Sequence, residues 1–340
     1  MSSNGNPCIL YGELYTKYKS EIISEVISKT NIEKNKLKHS KQNDVIIPCS
    51  GETAVDIAVA RCVPFDNVLL GGDLNIIRLH KYDGAFMAYQ LNSKRKIEIA
   101  KLAQGVSVVH LYGENLKSIN TYNPSLQEQQ KIVRLLSLLD ERIATQNKII
   151  EDLKKLKSAI YQELFSNQQG EEYSLSELVE IIKGQQINGN ELSENGKYYV
   201  MNGGIMPSGY YDDYNTEAGT ISISEGGNSC GYVQYNSSKF WSGGHCYTLH
   251  IKPAAPISTL FLFHFLKWKE TDIMTLRIGS GLPNIQKKDL SKVSIIVPTL
   301  DKQQRIMTLL STFQMKIEHE DMYAINLNKQ KQYLLSQMFI

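Results

Sequence analysis

The chain contains residue types able to do chemistry, but none of the spacings that define a familiar catalytic centre. It has no GxxxxGKS or GxxxxGKT phosphate loop, no HExxH metal pair and no GxGxxG between a strand and a helix. Its seven histidines lack metal-ligand spacing, and its five cysteines are an odd number without a CxxC pair. That cysteine usage argues against a disulfide framework and favours a reducing cytoplasm. The sequence predicts no catalytic residues, no metal and no cofactor.

One glycine-rich segment, Ser224 to Gly231, has the composition of a phosphate cradle. Strand patterns flank it on both sides, whereas a phosphate cradle needs the N-terminus of a helix. We therefore predict a simple turn between two strands.

Composition bounds the size and the charge of the molecule. The 340 residues are 42% hydrophobic, enough for ordinary cores in two domains, and the net charge is only +2. Any nucleic-acid contact must then come from local basic patches. The most apolar run, Leu260 to Leu266, is interrupted by His264 and predicts a buried helix rather than a membrane span.

An internal repeat organises the chain. Residues 105–165 align without a gap on residues 279–339, with identical pairs such as Gln129 and Gln303. Such pairs far exceed the roughly one identity per twenty positions expected by chance. Two similar halves suit a ligand that is itself roughly two-fold, and duplex DNA is the leading candidate.

Each half ends in one long helix with an apolar seam at alternating spacings of three and four residues. Ser125 and Glu128 form a capping box at the start of the first helix. Polar residues interrupt the seam at equivalent positions of the two helices: Gln146 corresponds to Glu320, and Lys157 corresponds to Lys331. We predict that the helices pair antiparallel, through a seam that includes Leu136, Leu139, Ile143, Ile150, Leu153, Leu310, Phe313, Ile317, Leu327 and Leu334.

The parts in front of the helices show strand patterns and glycine turns. The fold class is therefore α+β: two mixed α/β domains and two long helices that form an antiparallel coiled coil. The predicted strands are 44–48, 58–63, 75–79, 219–224, 231–235 and 246–251, with a helix at 97–102. The predicted divisions are a first front domain (1–122), a first long helix (123–166), a second front domain (167–297) and a second long helix (298–340).

The helix entries carry a family resemblance. Residues 123–140 read NPSLQEQQKIVRLLSLLD, and residues 297–306 repeat the pattern as VPTLDKQQRI. Together with YGELYTKY at 11–18 and GSGLPN at 279–284, they resemble the specificity subunit of type I restriction-modification enzymes. The resemblance covers essentially the whole chain.

The resemblance implies a non-catalytic reader of double-stranded DNA. In that family each front domain is a target recognition domain that grips one half of a bipartite site, and the helix pair sets the gap between the halves. The helices also carry two methylation subunits, which bind S-adenosylmethionine, and restriction subunits join that core.

Candidate DNA contacts are polar and basic residues of the two front domains, because bases are read by donors and acceptors while lysine and arginine hold phosphates. In the first domain they are Tyr15, Lys17, Tyr18, Lys94, Arg95 and Lys96. In the second they are Lys183, Gln185, Asn202, Tyr210, Tyr211, Ser280, Asn284, Lys287 and Lys288. A solvated face for the basic cluster, and a core or rim position for each tyrosine, are the alternatives.

The first front domain is predicted to be shortened at its N-terminus. The second front domain has residues 174–184 before Gly196 to Gly203, whereas the first begins almost at the matching segment, Gly5 to Gly12. A truncated gene product, a silent recombination partner or a shortened chain would all leave the fold class unchanged. DNA reading by the first half stays open on this evidence.

Two other functions remain compatible with the sequence. One is a coiled-coil adaptor whose front domains bind protein or sugar, and the other is a self-contained nuclease or methyltransferase. A steep salt dependence of binding would separate DNA recognition from the adaptor. Bound S-adenosylmethionine on the isolated chain would favour the enzyme.

Overall fold

The structure, a computed structural model, describes residues 4–339. The chain divides into two compact units. The first unit runs through Ile150 and resumes at His319, and the second unit is Glu151–Glu318. Each unit therefore contains one front domain and a part of each long helix. No helix in residues 4–339 is long and apolar enough to cross a membrane.

The front domain of the first unit is built from short strands and helices. Within residues 4–122 they are, in chain order, β1 (Asn6–Ile9), α1 (Glu13–Thr16), β2 (Ser28–Thr30), β3 (Lys38–His39), β4 (Asp44–Pro48), β5 (Ser50–Gly51), α2 (Ala54–Ile57), β6 (Arg61–Val63), β7 (Leu69–Leu70), β8 (Leu74–Ile77), α3 (Gly84–Asn92), α4 (Arg95–Lys101), β9 (Val109–His110) and α5 (Gly113–Leu116). The strand orders are β2-β1-β7-β3, β6-β4-β8 and β5-β9. The first long helix, α6 (Leu126–Ser166), follows.

The front domain of the second unit is similar in kind. Its elements are β10 (Glu171–Ser174), α7 (Leu175–Leu178), β11 (Val179–Lys183), β12 (Tyr198–Met201), β13 (Gly209–Tyr211), β14 (Thr220–Ser224), β15 (Val233–Asn236), β16 (Trp241–Ser242), β17 (Cys246–Ile251), α8 (Thr259–Trp268), α9 (Glu270–Thr275), α10 (Lys287–Leu290) and β18 (Ser294–Val297). The strand orders are β11-β17-β14-β15, β13-β12-β16 and β10-β18. The second long helix is α11 (Leu300–Met338).

The two front domains share one internal arrangement. β4 pairs antiparallel with β6 and β8, as β14 does with β15 and β17. The likeness extends to single amides: Leu111 N donates to Cys49 O at 2.7 Å, and Ile285 N donates to Glu225 O at 2.8 Å. Leu111 and Ile285 are equivalent in the repeat, so Cys49 and Glu225 occupy equivalent positions.

The predicted strands agree closely with the structure at 44–48 and 246–251. The prediction over 58–63 was wrong in its first half, because the strand covers only Arg61–Val63. A helical turn at Ala54–Ile57 precedes it, capped by Thr53, whose side chain accepts from Asp56 N at 3.2 Å. Such a cap favours a helical turn over an early start of the strand.

The long helices pair antiparallel, as predicted. In the first unit, Gln146 Nε2 donates to Glu320 Oε2 at 2.6 Å, and Lys331 Nζ lies 2.6 Å from Asp140 Oδ1. In the second unit, Lys157 Nζ donates to Gln314 Oε1 at 2.6 Å. As the residue number increases along α6, the number of the contacting residue on α11 decreases, which is the pattern of an antiparallel pair. Gln146 and Glu320, equivalent in the repeat, contact each other.

The seam residues of the first unit lie inward on the helices. Leu136, Ile150 and Leu327 are buried, whereas Leu139, Ile143 and Leu334 are partly buried. In the second unit Leu310 and Ile317 are buried, and Leu153 and Phe313 are partly buried. Polar interruptions within such a seam favour one register over others.

The first of the paired glutamines joins each helix to its front domain. Gln129 Oε1 accepts from Asp83 N at 2.9 Å, and its Nε2 donates to Pro124 O at 2.8 Å. Gln303 Oε1 accepts from Ser258 N at 2.9 Å, and its Nε2 donates to Pro298 O at 2.9 Å. Both glutamines are 1% exposed. Because Asp83 and Ser258 cap α3 and α8, each glutamine fixes the start of a long helix to the start of a front-domain helix.

The pH dependence of stability in the second unit should follow His264. Its Nδ1 bonds Tyr161 OH of α6, and burial, with a smaller effect from Lys157, lowers the pKa of His264 to about 4. In the unfolded chain His264 binds a proton at its ordinary pKa of about 6.5. Above pH 6.5 His264 is neutral in both states and does not lower the unfolding free energy. Between pH 6.5 and pH 4 it is protonated only in the unfolded state, so the unfolding free energy falls as the pH is lowered. We expect a loss of at most about 3 kcal/mol across this window.

His264→Leu measures this effect. The variant should be less stable than the native chain at pH 7, because the Tyr161 hydroxyl loses its partner. The difference in unfolding free energy between the native chain and the variant should narrow as the pH falls to 4. Only the native chain has a histidine at this position, and its buried neutral form loses stability relative to the protonated histidine of the unfolded chain. Urea unfolding followed by the fluorescence of Trp241 and Trp268 reports the second unit, and a difference independent of pH would contradict the account.

Candidate nucleic-acid interface

A polar cavity opens among loops of the second front domain. Its volume is about 660 Å³. The lining consists of Lys183, Asn202–Gly204, Ser208, Glu225–Ser229, His245 and Leu282–Asn284. These residues come from the ends of β11, β12, β14 and β17 and from the loop before α10. Donors and acceptors thus converge from segments that are distant in sequence.

Backbone bonds hold these loops together. Gly227 N donates to Pro283 O at 2.9 Å, which joins the loop after β14 to the loop before α10. Ser224 Oγ donates to Gly203 O at 2.6 Å and His245 N donates to Asn202 Oδ1 at 3.1 Å, so the loop after β12 is fixed as well. The cavity wall is therefore ordered by its own hydrogen bonds.

Two glycines shape the cavity through their backbone conformation. Gly203 and Gly227 have φ angles of +82° and +79°, a region that other residues rarely adopt. A Cβ on Gly227 would meet no atom within 4 Å, so that side of the cavity is open space. The Ser224 to Gly231 segment is a turn between strands, as predicted, and it forms the floor of the cavity.

Glu225 is the charged group of this floor. The residue is 8% exposed, and its Oε1 accepts from Lys183 Nζ at 2.7 Å and from Tyr247 OH at 2.9 Å. Burial, followed by the bond to Glu225, raises the pKa of the Tyr247 phenol. The other oxygen, Oε2, is buried and has no hydrogen-bond partner in residues 4–339. His245 Nδ1 lies 3.8 Å from Oε2, beyond hydrogen-bonding distance.

The structure brings three of the predicted DNA-contact residues together in this cavity: Lys183, Asn202 and Asn284. Sequence reasoning missed Glu225, although it singled out the segment containing it. The sequence feature that could have identified Glu225 is a carboxylate inside a glycine-rich turn between two predicted strands.

The other predicted residues of the second domain lie outside the cavity lining. Gln185, Ser280, Lys287 and Lys288 are exposed, Tyr210 is 41% exposed, and the Tyr211 ring packs edge-on against Trp241 at 5.2 Å. Lys287 and Lys288 begin α10, directly after the loop of Asn284. Both lysines therefore stay candidates for phosphate contact.

In the first domain the predicted residues differ in exposure and in their partners. Lys17 pairs with Glu13 at 2.8 Å, Arg95 pairs with Glu98 at 2.7 Å, and Lys94 is exposed beside the partly buried Lys96. Tyr15 is also partly buried.

Tyr18 does not fit its assignment to a DNA-contacting surface. Its ring is in the core and only 6% exposed, and its hydroxyl accepts from Ile27 N at 3.3 Å. The alternative of a core position fits this tyrosine better.

Equivalent backbone positions of the two domains carry different side chains. Where the second domain has Glu225 and His245, the first has Cys49 and Asp73, with the same amide bond between them: Glu225 N donates to His245 O, and Cys49 N donates to Asp73 O. His110 likewise occupies the position of Asn284. A common frame thus presents two chemically different surfaces.

A second apolar stripe lies on the outer faces of the long helices. In the first unit Leu135, Leu138 and Ile149 of α6 are 47%, 54% and 41% exposed, and Met322 of α11 is 57% exposed. Such a row on a helix is unusual for a surface that faces only water.

Within residues 4–339, His, Cys, Asp and Glu form no group that could hold a metal ion.

Comparison with known proteins agrees with these features. The sequence model described as the type I restriction modification DNA specificity domain matches residues 2–155 and 167–327. Because the two matches cover most of the sequence, the chain belongs to this family of specificity proteins.

Individual relatives carry related names. A Mycoplasma pneumoniae protein named as a type I specificity subunit is 34% identical over 162 residues, 47% of this chain and 43% of that protein. A Methanocaldococcus jannaschii protein named as a type I restriction enzyme specificity subunit is 24% identical over 305 residues, 79% of this chain and 71% of that protein. The chain thus matches less than half the length of the first of these relatives.

Solved structures share the fold. The type I restriction-modification S subunit from M. genitalium has a TM-score of 0.63 at 22% identity, covering 98% of this chain and 92% of that one. A chain from a structure described as showing complex assembly and conformational transition of the type I R-M system has a TM-score of 0.60 at 19% identity, covering 89% and 83%. The predicted fold class is confirmed by these neighbours.

Proposed function

We propose that this chain is the DNA-recognising subunit of a type I restriction-modification complex. Each front domain reads one half of a bipartite target on double-stranded DNA, and the long helices set the gap between the halves. The chain supplies no catalysis. Methylation comes from two partner subunits that bind S-adenosylmethionine, and cleavage comes from restriction subunits.

One observation carries the proposal: the two front domains keep the same hydrogen-bonded frame but carry different side chains at equivalent positions of it. Cys49 and Glu225 illustrate this, because equivalent amide bonds hold their backbones while their side chains differ in charge and size. An enzyme duplicated for catalysis would be expected to keep its reactive side chains. Two readers of different sequences are expected to keep the frame and change the surface.

The helices support the partner assignment. Their inner stripe packs the pair together, and the exposed outer stripe of Leu135, Leu138 and Ile149 is apolar surface that a helical partner would bury. The repeat gives both helices related sequences, so two copies of one partner subunit suit them better than a single partner.

The salt dependence of DNA binding tests this proposal against an adaptor function. The chain, purified with its methylation subunit, should lose about 10³-fold or more in affinity for duplex DNA between 50 and 200 mM salt, because about six or more phosphates are neutralised. The measurement is a fluorescence-anisotropy titration at each salt concentration. Binding with a flat salt dependence, or no binding to DNA, would favour the adaptor.

A further inference from the structure

We propose that Glu225 reads one base of the half-site of the second front domain by accepting a hydrogen bond from the 4-amino group of a cytosine in the major groove. The inference rests on the proposed function and adds to it a residue and a base.

The carboxylate of Glu225 is prepared for a donor from outside the chain. Lys183 Nζ and Tyr247 OH both bond Oε1, which fixes the side chain in one orientation. Oε2 is buried and has no hydrogen-bond partner in the described part of the chain, and Glu225 is one of the residues that line the cavity. A buried charged oxygen without a donor is costly, and native proteins almost always supply one. A ligand that enters the cavity can supply it here.

The cavity has room for the edge of a base. The floor next to Glu225 consists of Gly226 and Gly227, and a Cβ on Gly227 would meet no atom within 4 Å. Side chains that can bind the neighbouring sugar and phosphate, Asn284 and Lys183, line the rim. Lys183 also offsets the negative charge that Glu225 would bring close to the DNA backbone.

The chemistry of a carboxylate selects cytosine. An ionised carboxylate only accepts hydrogen bonds. In the major groove guanine presents N7 and O6 and thymine presents O4, all of them acceptors that would repel it. Adenine has an amino donor beside the N7 acceptor, a pair that suits an amide better than a carboxylate. Cytosine presents its amino group without an adjacent ring acceptor.

The first front domain has Cys49 at the equivalent position, so the same contact is not expected there. The inference therefore predicts an effect confined to one half of the target.

Glu225→Gln tests this contact, because it keeps the size of the side chain and adds an amide donor. Glu180→Gln is the matched control: it removes the same charge from an exposed position on β11 outside the cavity. Each chain is co-expressed with its methylation subunit, and the modified sequences are mapped across the host genome. The native and Glu180→Gln complexes should require cytosine at one position of the second half-site. With Glu225→Gln that position should relax or shift towards adenine, and the first half-site should stay unchanged.

A binding competition keeps the test decisive if Glu225→Gln modifies nothing in cells. Duplexes with each of the four bases at the cytosine position compete for the purified complex. The native complex should prefer cytosine by about tenfold or more, whereas Glu225→Gln should distinguish the four bases by only a few-fold. An unchanged preference in Glu225→Gln, or an equal loss of affinity for all four duplexes, would overturn the inference. A native complex that modifies no bipartite sequence would instead overturn the proposed function.

Discussion

Replacing Lys331 by methionine is expected to lower the unfolding free energy of the first unit by about 3–5 kcal/mol. Lys331 lies on the second long helix, and its ammonium group is 2.6 Å from Glu21 Oε2 and 2.6 Å from Asp140 Oδ1. Both carboxylates are largely buried, and Tyr89 OH also donates to Asp140 at 2.6 Å. Methionine fills the same space but leaves two buried negative charges without this cation.

The repeat provides a control within the same chain. Lys157 is equivalent to Lys331 in the repeat, and its partner Gln314 is equivalent to Asp140. Lys157 therefore contacts a neutral amide, whereas Lys331 contacts a carboxylate. Burial lowers the pKa of Lys157, so its charge already costs free energy in the folded state. Lys157→Met should therefore change the stability by only about 1 kcal/mol, because one hydrogen bond to a neutral amide is lost.

Urea unfolding distinguishes the two variants. Far-ultraviolet circular dichroism follows both units, whereas both tryptophans, Trp241 and Trp268, belong to the second unit. Lys331→Met should shift the circular dichroism transition strongly. Adding Glu21→Gln and Asp140→Asn to Lys331→Met should restore part of the stability, since the unpaired charges are removed. Equal effects of Lys331→Met and Lys157→Met would show that the buried charges are not what Lys331 stabilises.

Exchange of the second front domain is expected to change one half of the target and leave the other half intact. The exchanged segment should be residues 171–297. β10 and β18 form an antiparallel pair in which Glu171 lies opposite Val297 and Ser174 lies opposite Ser294, so both strands should be exchanged together. The helices would keep their own pairing and outer stripe, and thus their partners. The target of the donor protein must be known, so that the new half-site can be recognised.

The readout of the exchange is the modified sequence of the chimera. The half-site read by the first domain and the length of the gap should stay as in the native chain, and the other half-site should become that of the donor. A change in both half-sites would mean that the two domains do not read independently. Loss of the partner subunits from the purified chimera would show instead that the front domain contributes to assembly.

The helices could be predicted because their signal is local and repeated. Apolar residues three and four apart, a serine cap before Leu126 and a second copy of the pattern all indicate the same element. The strands Asp44–Pro48 and Cys246–Ile251 were predicted for a related reason. The first contains a short apolar run, and in the second apolar residues alternate with Thr248 and His250. The paired glutamines were visible in the sequence as well, but their bonds to Asp83 and Ser258 depend on the tertiary fold.

The site was harder to predict, because its properties arise from contacts between distant segments. Glu225 looks like an ordinary turn residue in sequence. Only the fold reveals that Lys183 and Tyr247 bond one of its oxygens and that the other oxygen is buried without a hydrogen-bond partner among residues 4–339. Tyr18 shows the opposite case. Its sequence neighbourhood suggested a DNA contact, whereas the packing of the first domain buries it.

Mapping of modified adenines tests the central claim most directly. The native chain is co-expressed with its methylation subunit in a host that lacks other adenine methylation, and single-molecule sequencing identifies the modified positions. The account predicts one bipartite sequence, in which two different half-sites are separated by a gap of fixed length. Modification that depends on this chain but follows a single continuous sequence, or no sequence at all, would contradict the assignment of one half-site to each front domain.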